Sequence, residues 1–135
     1  MKPDVLVVES DLSAFAVTDR RLHDRFHLVW APGWDAAFTA LTRHVFDAVV
    51  VRADGEPGLA FISKVAAEFP NVPVVAVAPW EVQGDRACVC GAKEWVSAPI
   101  NYPRLGAVLD FVSVEARRER EGLGGGSARL AQSPT

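Results

Sequence analysis

Short apolar runs alternate with longer amphipathic segments along most of the chain. Five of these runs have the length and the β-branched composition of buried strands: DVLVV (4–8), HLVWA (27–31), DAVVVR (47–52), VPVVAVA (72–78) and KEWVS (93–97). Strands that are apolar at nearly every position are typical of a parallel sheet covered on both faces. The pattern therefore predicts an α/β fold in which strands and helices alternate.

The segments between these runs show helical periodicity. In the second segment, apolar residues recur at spacings of four, three and four, which predicts one buried helix face made of Trp34, Phe38, Leu41 and Val45. In the last segment, the predicted inward-facing residues are Leu105, Val108, Leu109 and Val112. The charge run ARRERE (116–121) is read as a solvated helix end.

One domain is predicted, over residues 1–121, because the length of 135 residues fits a single core. Residues 122–135, GLGGGSARLAQSPT, show no core-building pattern and are read as a flexible, Gly-rich tail. The N-terminus has no signal-peptide pattern, and no apolar run approaches the length of a membrane span. Only two cysteines occur, Cys88 and Cys90, and they are too close together to staple the fold, so we expect a protein of the reducing cytoplasm.

In a parallel α/β sheet, ligands bind beyond the carboxyl ends of the strands. The residues expected at that edge are Glu9, Ser10, Asp11, Arg52, Asp54, Ala78 and Ala98. The rest of the chain offers little other chemistry. Cys88 and Cys90 form C-x-C and not the C-x-x-C of redox or zinc motifs, and His23, His27 and His44 are scattered without ligand spacing. We expect no metal ion and no cofactor, and the net charge of −3 argues against direct nucleic-acid binding.

Three segments carry a resemblance to a known family. FDAVVVRADGEPGLAFISKV (46–65) resembles the third strand, catalytic loop and third helix of the receiver (CheY-like) domains of bacterial response regulators. FPNVPVVAVAP (69–79) resembles their fourth strand, and GAKEWVSAPINYPRL (91–105) resembles their Gly-Ala, acidic, aromatic and Lys-Pro signature. The resemblance implies a flavodoxin-like (βα)5 fold with strand order 2-1-3-4-5 and a cis bond before Pro99.

The family transfers a phosphoryl group to an aspartate at the end of strand three, with Mg²⁺ held by the acids after strand one. In register, Arg52 stands in place of that aspartate, and Ser10 in place of the main metal-binding carboxylate. Ala78 replaces a Thr or Ser, and Ala98 replaces a Lys. These departures predict a pseudo-receiver in which the Arg52 guanidinium takes the place of the metal and pairs with Glu9 first. The alternative is a working phosphoacceptor that uses the displaced Asp54.

The resemblance also indicates a partner surface on the fourth helix, fifth strand and fifth helix. Trp80, Trp95 and Tyr102 are the residues expected there, since aromatic residues are enriched at interfaces. The leading interpretation is a signalling domain, not an enzyme, that binds another signalling protein or a second copy of itself without phosphorylation. A small enzyme or ligand-binding domain on the same fold, and a regulator that reaches DNA only through a partner, remain as alternatives.

Overall fold

A computed structural model of the protein describes residues 1–126, with side chains to residue 122, and shows an α/β sandwich. The described elements alternate strictly along the chain: β1 (Asp4–Val8), α1 (Leu12–Leu22), β2 (His27–Ala31), α2 (Trp34–Arg43), β3 (Ala48–Arg52), α3 (Glu56–Glu68), β4 (Val74–Ala78), α4 (Glu81–Cys90), β5 (Glu94–Ser97) and α5 (Tyr102–Gly126). All strand pairs are parallel, and the order across the sheet is β2-β1-β3-β4-β5. The predicted fold class and strand order are confirmed.

The sheet divides the core into two apolar clusters, because alternate residues of each strand point to opposite faces. Leu6 and Val8 of β1 pack with α2, α3 and α4 on one face. Val5 and Val7 pack with α1 and α5 on the other. Both faces are therefore covered, and the polar groups of the central strands lie at the strand ends.

The helices agree with the sequence pattern in part. The four predicted core residues of α5 are all buried. In α2, however, Leu41 is buried, whereas Trp34 is 37% exposed and Val45 is 66% exposed. Val45 is exposed because α2 ends at Arg43, before the predicted apolar face does. Trp34 is partly exposed because it lies in the first turn of α2, at the edge of the sheet.

Helix α5 is longer than the predicted domain boundary at residue 121 allowed. It runs to Gly126, so the helix continues into the segment predicted to be a tail. Adding a residue to an existing helix contributes a hydrogen bond without a new nucleation step, which offsets the poor helix propensity of glycine. The remainder of the predicted tail, residues 127–135, lies outside the described residues. None of the described helices has both the length and the apolar stretch that crossing a bilayer requires.

A buried carboxylate holds the C-terminal half of α5 against the amino end of the sheet. Asp47 is only 3% exposed and accepts a hydrogen bond from the backbone N–H of Asp4 at 2.8 Å. Arg117 donates to both of its oxygens, from Nε at 3.1 Å and from Nη2 at 3.0 Å, and Arg120 donates a further bond. Arg117 also donates to the backbone carbonyls of Met1 and Lys2. Part of the ARRERE run is thus a structural clamp, and its interpretation as a solvated end was wrong for these two arginines.

The clamp determines the titration of Asp47. Burial raises the pKa of this carboxyl, but the bonds from Arg117, Arg120 and the Asp4 backbone outweigh burial and hold the pKa below its usual value. In turn, the Asp47 carboxylate raises the pKa of Arg117. A carboxyl whose pKa is lowered by folding stabilises the folded state above its unfolded pKa, and this contribution is lost as the pH falls through the folded pKa.

We expect Asp47→Asn to lower the free energy of unfolding by about 2 kcal/mol at pH 7, because two arginine side chains that are only 31% exposed lose their counter-charge. Urea unfolding measures this difference. The difference should begin to shrink as the pH falls below about 4, the usual pKa of an unfolded Asp, and should be lost once the pH passes the lower folded-state pKa, where the wild-type carboxylate is itself protonated. Asp24→Asn is the matched control, since the Asp24 side chain is 91% exposed and should show almost no effect. An equal loss in both variants, or a loss that does not change with pH, would contradict the clamp.

Candidate functional site

The two acids after β1 are held by the local backbone. The indole N–H of Trp30 on β2 donates to the carbonyl of Glu9 at 2.6 Å. The Glu9 carboxylate accepts the backbone N–H of Asp11 at 3.1 Å, and Asp11 in turn caps α1 by accepting the N–H of Ser13 at 2.9 Å. Asp11 therefore acts first as an N-cap, while Glu9 keeps one carboxylate oxygen free to face β3.

The free oxygen of Glu9 faces Arg52, the last residue of β3. Their closest atoms, Arg52 Nε and Glu9 Oε1, are 3.9 Å apart. That distance is longer than a direct hydrogen bond, so the contact is mainly Coulombic. The Glu9 side chain is 15% exposed and that of Arg52 is 45% exposed, so the pair contributes at most about 1 kcal/mol to stability. The ion pair matters mainly because it places the positive charge of Arg52 beside Glu9, the most buried acid at the carboxyl edge of the sheet.

The first turn of α3 packs directly on the end of β3. A Cβ built on Gly58 would lie 2.2 Å from the carbonyl oxygen of Arg52, so this close approach requires glycine. The connection between β3 and α3 is consequently short, and it places the exposed Asp54 beside Arg52. Asp54 and Arg52 line one cleft.

This cleft, of about 300 Å³, lies at the carboxyl edge of the sheet. Its lining includes Glu9, Ser10, Arg52 and Asp54 together with Trp34, the first residue of α2. The Trp34 indole packs on Phe61 of α3, with ring centroids 5.1 Å apart. The helical spacing predicted a core position for Trp34 and did not indicate that it would line the site. The signal available was its position just after Pro32 and Gly33, where the chain leaves β2 at the same edge.

The remaining two predicted positions contribute only methyl groups. Ala78 is fully buried at the end of β4. Ala98 donates its backbone N–H to the Ala78 carbonyl at 2.9 Å, and the Ala98–Pro99 bond is cis. Neither side chain supplies a hydroxyl or an ammonium group, so Arg52 is the cation among the described residues that line the cleft.

Within the part of the chain that the structure describes, no group of three or more His, Cys, Asp or Glu side chains is arranged to hold a metal ion. Cys88 and Cys90 are free thiols on α4. His27 lies at the amino end of β2, where its Nδ1 is 2.8 Å from an oxygen of Asp4, well away from the cleft.

A second candidate surface surrounds the fifth strand. Trp80, the N-cap residue of α4, is 64% exposed. Trp95 on β5 is half-buried, and its indole lies on the α4 backbone, because a Cβ built on Gly84 would lie 2.1 Å from the ring. Trp95 also lines a groove of about 340 Å³ that includes Asn101 and Arg104. The ring thus lines a groove and also contacts the α4 backbone at Gly84.

Tyr102 does not join this surface. Its hydroxyl lies 3.2 Å from the hydroxyl of Thr18, and the guanidinium carbon of Arg21 is 5.3 Å from its ring centroid, so it packs against α1. Trp95 packs against the core cluster on the opposite face of the sheet. The three predicted interface residues are therefore split, because the first turn of α5 directs position 102 towards α1.

Comparisons with solved structures identify the fold. The chain is similar to a response regulator from Thermotoga maritima, at 25% identity and a TM-score of 0.76, over 84% of this chain and 99% of that one. It is similar to the signal receiver domain of a putative Luxo repressor protein from Vibrio parahaemolyticus, at 17% identity and a TM-score of 0.81, over 94% of this chain and 100% of that one. A CheY-like receiver domain protein from Methanospirillum hungatei matches at 14% identity and a TM-score of 0.77, over 88% of this chain and 99% of that one. No protein-family model and no curated protein matches the chain. The chain has the receiver-domain fold.

We expect Gly84→Ala to destabilise the protein by about 2 kcal/mol, because the new methyl group overlaps the Trp95 ring and overpacking costs more than helix propensity gains. Urea unfolding measures the change. Gly122→Ala is the matched control: Gly122 is also helical, a Cβ there meets nothing within 4 Å, and the substitution should be neutral or stabilising.

Gly84→Ala in a Trp95→Ala background shows whether the loss of stability comes from the Gly84–Trp95 contact or from any added side chain at this position of α4. With the indole removed, Gly84→Ala should become neutral or stabilising, giving a strong coupling between the two positions. Additive losses would show that Gly84 is required for some other reason.

Proposed function

We propose that the chain is a signalling domain of the receiver type that acts by binding another protein, without being phosphorylated itself. The observation that carries the proposal is Arg52 at the end of β3, in the position of the phosphoacceptor, with its guanidinium 3.9 Å from Glu9. A guanidinium stays protonated in proteins and cannot attack a phosphoryl group. Ser10 lacks a carboxylate charge, Ala78 lacks a hydroxyl and Ala98 lacks an ammonium group, and these losses support the proposal because phosphoryl transfer requires such groups.

The electrostatics of the cleft favour a cation that is part of the chain over a bound one. A divalent ion on Glu9 would lie within a few ångströms of the Arg52 charge, and repulsion at that range amounts to several kcal/mol near a protein surface. Ser10 adds no charge to offset this repulsion, and Asp11 is engaged in capping α1. In this proposal, Arg52 neutralises Glu9 permanently, and the cleft binds no Mg²⁺.

The proposed activity is binding, not catalysis. The surface proposed for a signalling partner is the groove beside Trp95, extended by the exposed Trp80 on α4. Trp side chains combine a large apolar area with an N–H donor and often anchor interfaces. The free thiols of Cys88 and Cys90 fit a reducing compartment, and we place this function in the cytoplasm.

A second candidate function is phosphoacceptance by Asp54. The observation that favours it is that Asp54 is exposed and lines the same cleft as Glu9. Against it stands the neighbouring Arg52, which lines the same cleft and places a positive charge 3.9 Å from the Glu9 carboxylate, where it would repel a metal ion. The two candidates make opposite predictions for chemical phosphorylation.

We expect no gain of a phosphoryl group when the full chain is incubated with acetyl phosphate and Mg²⁺, because Arg52 cannot accept a phosphoryl group and its charge disfavours Mg²⁺ beside Glu9. Intact-mass spectrometry at neutral pH provides the measurement, and an active receiver domain treated in parallel shows that the donor works. A phosphoryl adduct on the wild type that disappears in Asp54→Asn would establish the second candidate and overturn the first.

We also expect millimolar Mg²⁺ to leave the tryptophan fluorescence and the melting temperature unchanged, with Trp34 serving as the reporter in the cleft. The Ser10→Asp/Arg52→Asp variant is the positive counterpart. It replaces the fixed cation by carboxylates and should gain a saturable Mg²⁺ response, since Mg²⁺ binds through a few carboxylate oxygens and water. A saturable micromolar response in the wild type would show that Arg52 does not exclude the ion.

A further inference from the structure

The cleft at the carboxyl edge of the sheet holds three charged groups that the described fold leaves without close partners. The Arg52 side chain donates no hydrogen bond to any described residue, and its ion pair with Glu9 is loose, at 3.9 Å. One oxygen of Glu9 accepts the N–H of Asp11, whereas the other, Oε1, faces Arg52. Asp54 is exposed, lines the same cleft, and forms no salt bridge with a described residue. These three groups can therefore bind a ligand without breaking a bond of the fold.

The signs of these charges restrict the ligand. Glu9 and Asp54 carry two negative charges, and Arg52 carries one positive charge. A simple anion would be repelled by the two carboxylates, and a metal ion would be repelled by the guanidinium. A ligand that carries one negative and two positive groups is attracted by all three side chains.

The wall and the size of the cleft indicate a small organic molecule. Trp34 lines the cleft, and its packing on Phe61, with ring centroids 5.1 Å apart, supports the indole from α3. An indole offers apolar area to a hydrocarbon chain and attracts organic cations such as a guanidinium. The volume of about 300 Å³ lies at the lower end of the usual range for small-molecule sites, about 300–1,000 Å³.

We propose that the cleft binds a free basic α-amino acid of the arginine or lysine type. The α-carboxylate of the ligand accepts hydrogen bonds from the guanidinium of Arg52, whose fork of donors suits a carboxylate. The α-ammonium donates to Oε1 of Glu9, and the cation at the end of the ligand side chain binds Asp54. The methylene groups between them lie against Trp34.

The spacing of Arg52 and Glu9 suits such a ligand. Their closest atoms are 3.9 Å apart, which is too far for a direct hydrogen bond. An α-amino acid carries its ammonium and its carboxylate on the same carbon atom, so one small molecule can bond to both side chains. Each group of the loose ion pair then gains a partner of opposite charge at hydrogen-bond distance.

The inference rests on the proposed function in one respect, because both take Arg52 as the resident cation of the cleft. The titrations described below contain neither Mg²⁺ nor a phosphodonor. A phosphoryl adduct on Asp54 would therefore overturn the proposed function, whereas a failure to bind the amino acid would overturn this inference alone.

Titration of the full chain with L-arginine at constant ionic strength tests the site, with the indole N–H resonances followed by NMR. The Trp34 indole, identified by its loss in Trp34→Phe, should shift and saturate, because Trp34 lines the cleft. The Trp80 indole, 64% exposed on the other surface, should not move. The proposal is overturned if no saturable shift occurs up to about 10 mM, or if both indoles shift alike.

Three analogues of L-arginine test the three contacts of the ligand. Agmatine lacks the α-carboxylate, Nα-acetyl-L-arginine lacks the α-ammonium, and L-norvaline lacks the side-chain cation. Each should bind about tenfold more weakly than L-arginine or worse, since each loses a charge-assisted hydrogen bond. An analogue that binds as tightly as L-arginine would overturn the proposed arrangement.

Two variants connect the ligand groups to their side chains, with circular dichroism to show that each protein is folded. Arg52→Gln should weaken L-arginine binding about tenfold, but agmatine should bind as tightly as to the wild type or more tightly. Asp54→Asn should weaken L-arginine and leave L-norvaline unchanged.

Arg43→Gln is the matched control for the loss of positive charge. Arg43 is exposed at the far end of α2, a helix of ten residues and so about 15 Å long, and its substitution should leave all affinities unchanged. The proposal is overturned if Arg52→Gln weakens L-arginine no more than Arg43→Gln does. It is equally overturned if Arg52→Gln weakens agmatine as much as L-arginine, because Arg52 then does not bind the carboxylate.

Discussion

The burial of the sheet on both faces is the constraint on which the rest of the structure depends. Strands β1, β3 and β4 lie between two layers of helices, so a charged side chain in the middle of these strands would have no solvent and no partner. Charge is therefore confined to the strand ends. The carboxyl ends carry Glu9 and Arg52, and the amino ends carry Asp4 and Asp47.

The charged groups at the amino ends of the strands are satisfied within the fold, whereas those at the carboxyl ends are not. The amino ends are therefore structural, and the carboxyl ends form the candidate site. Asp47 is nearly fully buried and receives donors from three residues, so it is satisfied within the fold. Glu9 and Arg52 are only in loose contact at 3.9 Å, and both line an open cleft. Groups that the fold leaves partly unsatisfied at the carboxyl edge are the ones available to bind something else.

The order of strands and helices and the residues at the carboxyl edge could be predicted from the sequence, because the strands are short, apolar and separated by helical segments. Once β1 and β3 are neighbours in a parallel sheet, the contact between Glu9 and Arg52 follows from their positions just beyond and at the strand ends. The contacts that sequence analysis missed join residues far apart in the chain. Nothing local in ARRERE marks Arg117 as the partner of Asp47, and nothing local marks Gly84 as the surface beneath Trp95. Tyr102 was misplaced for a related reason: the rotation of a helix about its axis determines which neighbour its first residue meets.

A cation that is part of the chain cannot leave the cleft, whereas a bound ion can. Mg²⁺ can dissociate, and a phosphoryl group can be added and removed, so a site that uses them has at least two charge states. Arg52 stays charged and stays tethered to β3, and in the proposed function the cleft therefore has one state. The Trp95 ring, held on the α4 backbone at Gly84, also lacks room for a second position on that side. A domain with a fixed site and a fixed aromatic surface has to be regulated by what binds it or by how much of it is present.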